Sequence, residues 1–349
     1  MARQGQTVDG GEAYQAGGNL TVVRGIDAEQ MASIMIAMGR QLKVYFDEAE
    51  SKLEERLASF RSAVLEEFAK PDNADGAKAF SDPDFQFVLN DAQKVFARDG
   101  SSEIRDDLVK LLVQRSKYDS KERLAKIINQ AIELAGSFSK DECAALAVNF
   151  LLFHVKFQTQ NQHTLLEQLN SFLSPFYADL SEIQTVYEYI ESQRCATINY
   201  LTDLDVVDHY HKTYVALFAY GFDFDQLQEI HPGTDVVVYQ ELITATKDAK
   251  RPYRFVDSDP SELAGKLRKL GMPEQYINNA TNLHNISNPN KEKFEIILRE
   301  NIEGFDRVLQ VWKDTALSKM ALTAVGKAIA HSILAGRAPF HAQLEVWVK

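Results

Sequence analysis

The chain has 349 residues, 45% of them apolar and 25% charged, with a formal charge of -12 at pH 7. That composition is globular and excludes wholesale disorder, and the acidic balance argues against a general nucleic-acid binder, which carries a basic stripe. Two cysteines, Cys143 and Cys195, exclude a disulfide framework and an all-cysteine zinc site.

No apolar run reaches the ~18–20 residues of a membrane span, and the N-terminus lacks a signal-like charged-then-apolar pattern. A soluble, cytoplasmic protein of two or three domains is expected.

Residues 1–26 differ from everything after them. They hold Gly5, Gly10, Gly11, Gly17, Gly18 and Gly25, six of the 17 glycines in the chain. Gly-Gly and Gly-Asn junctions between short segments of strand-like residues predict tight turns or a small hairpin, or else a flexible leader. A lone hairpin is marginal in water, so such strands would pair with copies from neighbouring subunits.

Residues 27–70 predict one long amphipathic helix. Asp27 and Gln30 stand at capping-box spacing, Gly39 is the single glycine, and Pro71 supplies the stop. Apolar positions repeat every 11 residues: Met31, Leu42, Leu53, Val64; Met35, Phe46, Leu57, Phe68; and Met38, Ala49, Phe60. That period is about 3.67 residues per turn, so the stripe runs nearly straight along the helix. A helix of this length spans about 60 Å, more than the diameter of a small domain. Part of the stripe is therefore expected to meet another copy through Met31, Met35, Met38, Leu42, Phe46, Leu53, Leu57 and Phe60. The alternative packs it on the chain's own later helices.

A polar linker covers Asp72 to Pro83, and residues 84–160 predict a helical bundle. Phe85, Val88, Leu89, Ala92, Val95 and Phe96 trace one helical face; Ile104, Leu108, Leu111 and Leu112 the next; Leu124, Ile127, Ile128, Ala131, Ile132 and Leu134 a third. Cys143 to Phe157 is apolar nearly all round, as in the buried centre of a bundle.

Residues 170–349 read as a mostly helical C-terminal domain with a few strands, divided from the bundle somewhere in 155–175. The β-branched run Val236 to Tyr239, helices at Ser261 to Leu270, Asn290 to Leu309 and Thr323 to Leu334, and a closing strand over Ala342 to Lys349 complete it. Leu344, Val346 and Val348 alternate with polar or outward positions in that tail. The fold class is mainly α.

No catalytic motif is present: no Gly-x-Ser-x-Gly elbow, no phosphate-binding loop, no His-Glu-x-x-His. No catalytic residue and no cofactor is assigned. Asp205, His209 and His211 are the candidate metal ligands. Asp205 and His209 have i, i+4 helical spacing, whereas His209 and His211, two apart, point to different faces. An acidic first helical turn explains the same residues without a metal. The amphipathic stretch Ala316 to Leu334 supplies candidate lipid contacts in Met320, Leu322, Val325 and Ile329, beside Lys319 and Lys327. The segment Leu322-Thr323-Ala324-Val325-Gly326 is similar to the Leu-Thr-x-x-Gly turn of winged-helix domains, in which the threonine caps a helix and the glycine permits close packing.

The Asp9-Gly10-Gly11-Glu12-Ala13-Tyr14-Gln15-Ala16-Gly17-Gly18-Asn19-Leu20 leader, the long helix, Asp82-Pro83-Asp84-Phe85-Gln86 and the terminal Leu322-Thr323-x-x-Gly326 together resemble an uncharacterised group of bacterial proteins, some associated with phage-defence loci. The resemblance implies no reaction and transfers no catalytic residue. It leads to the expectation of a non-enzymatic antiviral sensor or scaffold: a homo-oligomer that recruits a protein effector partner, without nucleic acid. The alternatives are a peripheral protein recruited to lipid or membrane surfaces and a metal-dependent hydrolase.

Overall fold

The computed structural model describes residues 28–159, 161–233, 236–246, 248–257 and 259–348, with the side chains of 28–32, 34, 236 and 238 left aside. The predicted leader strands fall outside these residues. The chain divides into two units, Met1–Glu55 and Arg56–Lys349. Helix α1, Ala28–Phe68, contributes to both. The described residues are mainly helical, with four short strands.

In the second unit, the end of α1 joins α2 (Pro83–Asp99), α3 (Ser102–Arg115), α4 (Arg123–Ala135) and α5 (Lys140–His154) in a bundle. Local chemistry fixes the boundaries. Asp82 caps α2 by accepting from the Asp84 amide at 3.0 Å, Pro83 occupies the first helical position, and Gly100 ends the helix at φ +79°. Ser101 then caps α3 by accepting from the Ile104 amide. The three faces traced by period lie inward; Leu89, Val95, Leu124 and Leu134 are half-buried and the rest buried. Phe60 stacks on Phe96 with centroids 5.4 Å apart, while Phe68, Phe80 and Phe85 pack edge to face.

Helix α5 is the centre of the bundle, as its uniformly apolar surface predicts: Cys143 through Leu152 are all buried. Asn149 is satisfied there, its amide donating to the carbonyls of Leu317 and Met320 at 3.3 and 3.0 Å. Arg115 is also fully buried, and its guanidinium donates to Asn129 Oδ1 at 2.8 Å, to the Tyr118 carbonyl at 2.7 Å and to Asp84 Oδ2 at 2.5 Å. Three acceptors make the burial of that charge tolerable.

The chain continues through α6 (Gln162–Leu173), α7 (Gln184–Ser192), strand β1 (Ala196–Ile198), α8 (Val206–Tyr214) and α9 (Phe224–Ile230). Strands β2 (Ile243–Ala245) and β3 (Tyr253–Phe255) form an antiparallel pair with Ile243 opposite Phe255. Helices α10 (Pro260–Lys269), α11 (Glu274–Ser287), α12 (Lys291–Asn301) and α13 (Phe305–Asp314) lead to β4 (Met320–Leu322) and α14 (Ala324–Arg337). β4 pairs antiparallel with β1, Ala196 opposite Leu322, and α14 packs on α3, α4 and α5.

The expected division near 155–175 is absent. One core runs from Phe60 to Val348, and a second, smaller core lies within 222–283, built on Phe222, Leu227, Tyr239, Phe255, Leu263 and Ile277. The C-terminal helix returns into the bundle, so sequence order does not follow spatial order.

Three local expectations are corrected. The tail is not a strand: Leu344–Val346 form a single 3-10 turn, with Leu344 and Val348 buried and Val346 exposed. Trp347 draws the chain inward, donating its indole N–H to the His154 carbonyl at 2.5 Å and packing on Phe150. Val236–Tyr239 is likewise a 3-10 turn, with Tyr239 anchored in the smaller core. The span Asn290 to Leu309 is two helices, because Gly304 takes φ +70° against the ring of Tyr177, where a Cβ would come within 2.2 Å of a ring carbon.

Asp107 makes the stability of the fold depend on pH. It is buried on α3, 3.2 Å from Arg337 Nη2 on α14, and its Oδ1 has no protein hydrogen-bond partner. Burial, against the opposing pull of Arg337, raises its carboxyl from the ordinary 3.8 to about 6. The folded state therefore holds this proton more tightly, and its contribution is fully present below pH 4 and lost as pH rises to 6. At 1.36 kcal/mol per pKa unit, wild type should lose about 2–3 kcal/mol relative to Asp107→Asn between pH 4 and pH 7. Urea midpoints measured across that range read it; a constant difference between the two proteins would contradict it.

Candidate self-association surface

The first unit carries the surface. Met35, Met38, Leu42, Phe46 and Leu53 of α1 are all exposed, Phe46 at 70%. They belong to the three eleven-residue rows and so lie along one face, with small, exposed Ala49 among them. Exposed apolar side chains scattered singly are ordinary, but a contiguous stripe marks an interaction site. Ile36, Val44 and Tyr45 add exposed apolar surface outside the rows. Their spacing does not repeat, so periodicity gave no signal for them.

The rows continue into the second unit, where they change role. Leu57 is half-buried, and Phe60, Val64 and Phe68 are in the main core. Phe60, expected at a subunit contact, is instead a core residue of its own chain, fully buried against Phe96. Met31 lies outside the described side chains.

Charge is unevenly distributed along the exposed part of α1. Residues 33–46 carry Arg40 and Lys43 and no carboxylate. Residues 47–55 carry Asp47, Glu48, Glu50, Glu54 and Glu55 against the single Lys52, a net -4.

The candidate metal ligands lie at the start of α8 and along it, and each is engaged elsewhere. Asp205 is the N-cap, accepting from the Asp208 amide at 2.9 Å and pairing with Lys291. Burial opposes ionisation of Asp205, yet Lys291 and the Asp208 amide outweigh it and hold the carboxyl below its usual range. His209 stacks on Phe153 with centroids 5.2 Å apart, and burial lowers its pKa. His211 Nε2 lies 2.9 Å from the Pro289 carbonyl. Among the described residues, no three His, Cys, Asp or Glu side chains are grouped to hold a metal ion.

The candidate lipid contacts are corrected by burial. Met320, Leu322 and Ile329 lie in the main core, and Val325 is half-buried against it. The amphipathic pattern was real, but the partner of its apolar face is α3, α4 and α5. No helix among the described residues is long and apolar enough to cross a membrane. Both cysteines are buried, and burial pushes each thiol up to about 12.

One surface cleft of about 480 Å³ lies beside Glu66, Glu67, Lys70, Arg105 and Lys110. Five of its charges are engaged with one another: Glu67 meets Lys70 at 2.6 Å and Lys110 at 3.0 Å, and Arg105 meets Asp106 at 2.9 Å.

The Leu-Thr-x-x-Gly turn is present as read. Thr323 caps α14 by accepting from the Gly326 amide at 3.1 Å, and Gly326 sits against the Cys195 carbonyl.

No curated protein and no solved structure matches the chain. A protein-family model bearing the description ":-like" matches residues 25–348, and the chain belongs to that family.

Proposed function

We propose that the protein is a non-enzymatic scaffold or sensor of bacterial antiviral defence, self-associating through α1 and presenting its second unit to an effector protein. The observation that carries the self-association is the exposed row Met35, Met38, Leu42, Phe46 and Leu53, whose continuation is covered by the chain's own core and which is itself left uncovered. The antiviral setting rests on the resemblance of the leader, the long helix and the terminal Leu322-Thr323-x-x-Gly326 turn to proteins of phage-defence loci. Self-association by an added or removed contact is a physical route from sensing to output, because clustering raises the effective concentration of any bound effector.

A plaque assay tests the role. Cells expressing the protein together with its chromosomal neighbours should resist at least one phage, and the double variant Leu42→Glu/Phe46→Glu should abolish that resistance at equal protein abundance. Full protection by the double variant, or no protection by the wild type across a broad phage panel, would refute the proposal.

A further inference from the structure

From the side chains and charges of α1 we infer that two copies pair antiparallel, about a two-fold axis passing between Tyr45 and Phe46; this rests on the self-association proposed above. Two observations carry the orientation. The first is size. With that axis, Leu42 faces the partner copy's Ala49, Met38 faces its Leu53, and the two Phe46 rings flank the axis, all of them exposed in the single chain. Leu42 then meets the small Ala49 across the seam, so that layer is filled. A parallel pair in register sets Ala49 beside Ala49 and leaves a void in that layer.

The second observation is charge. The antiparallel arrangement lays the basic stretch 33–46, with Arg40 and Lys43, along the acidic stretch 47–55 of the other copy. The parallel arrangement lays the two acidic stretches side by side, each with its net -4. Such exposed charges add little affinity, but like-charge juxtaposition selects against the wrong register and orientation. The seam supplies attraction and the charge blocks supply direction. Because the eleven-residue period keeps the stripe straight, the two helices stay in contact along it without strong left-handed supercoiling.

The full-length double variant Met38→Cys/Leu53→Cys tests this. It is oxidised mildly, or bridged with a short bis-maleimide, and the linked peptides are identified by mass spectrometry. Positions 38 and 53 are 15 residues apart on one helix, about 22 Å at 1.5 Å per residue, so a 38–53 link arises between copies. Native Cys143 and Cys195 are buried, and the wild-type chain treated in parallel sets their background. The expected result is a tenfold or greater excess of 38–53 links over 38–38 and 53–53 links. Dominant 38–38 and 53–53 links in a protein that scatters light as an oligomer would overturn the antiparallel orientation while leaving self-association standing. An oligomer that forms none of these links would overturn the seam register. A single-copy mass with no links would overturn the self-association itself.

Discussion

Gly326→Ala lowers the stability of the protein by about 3 kcal/mol or more, the range of severe overpacking in a closed site. The reason is geometric. A Cβ at this position would stand 1.8 Å from the Cys195 carbonyl oxygen and 2.8 Å from its carbon. Neither atom can step aside, because that carbonyl accepts from the Thr323 amide at 2.9 Å and from the Thr323 hydroxyl at 3.1 Å. Relief requires lifting the start of α14 away from β1, and α14 is wedged between α3, α4 and α5. Gly265→Ala is the matched control: it too lies inside a helix, but nothing stands within 4 Å of its Cβ. There alanine should stabilise by roughly 0.5–1 kcal/mol through helix propensity alone. Urea unfolding of the two variants reads the contrast, and a loss below about 0.5 kcal/mol for Gly326→Ala would show the helix–strand approach to be looser than described.

Leu42→Glu/Phe46→Glu is expected to separate the proposed pair of copies without unfolding them. Each large apolar side chain buried at an interface contributes roughly 1.5–3 kcal/mol, and a two-fold pair buries every one of them twice. Removing four such contacts and desolvating four carboxylates should raise the dissociation constant at least about a thousandfold, since 1.4 kcal/mol is a factor of ten. Both residues are exposed in the single chain, so the unfolding free energy of the second unit should hold within about 0.5 kcal/mol. Phe60→Glu behaves in the opposite way, because its ring is fully buried against Phe96 and its loss strikes the core. Sedimentation and urea unfolding of both proteins distinguish an interface residue from a core residue on one continuous helix.

Periodicity made the helical bundle legible and left the partner of each apolar face unstated. The Phe85–Phe96, Ile104–Leu112 and Leu124–Leu134 faces follow from spacing because their helices are short and capped by local side chains such as Asp82 and Ser101. The face of Met320, Leu322 and Ile329 has the same signature, and nothing local tells a protein core from a lipid surface; the long-range return of α14 into the bundle decides it. The tail misled for a related reason. Leu344, Val346 and Val348 alternate like a strand, yet no strand among the described residues pairs with them, and the Trp347 indole bond to the His154 carbonyl sets a turn instead. Asp205 shows that a helix cap and a metal ligand call for the same residue type at the same place, and only Lys291, 86 positions away, reveals which partner it has. On α1, the eleven-residue rows trace the exposed apolar face, but the point at which they pass from open face to closed core, near Leu57, depends on tertiary packing.

The native mass of the full-length protein, measured by sedimentation equilibrium over a micromolar concentration series, bears most directly on the uncovered α1 face. An integer multiple of 39.4 kDa that collapses to the single-chain value in Leu42→Glu/Phe46→Glu is the predicted result. A wild-type protein that remains at 39.4 kDa throughout the series would contradict it.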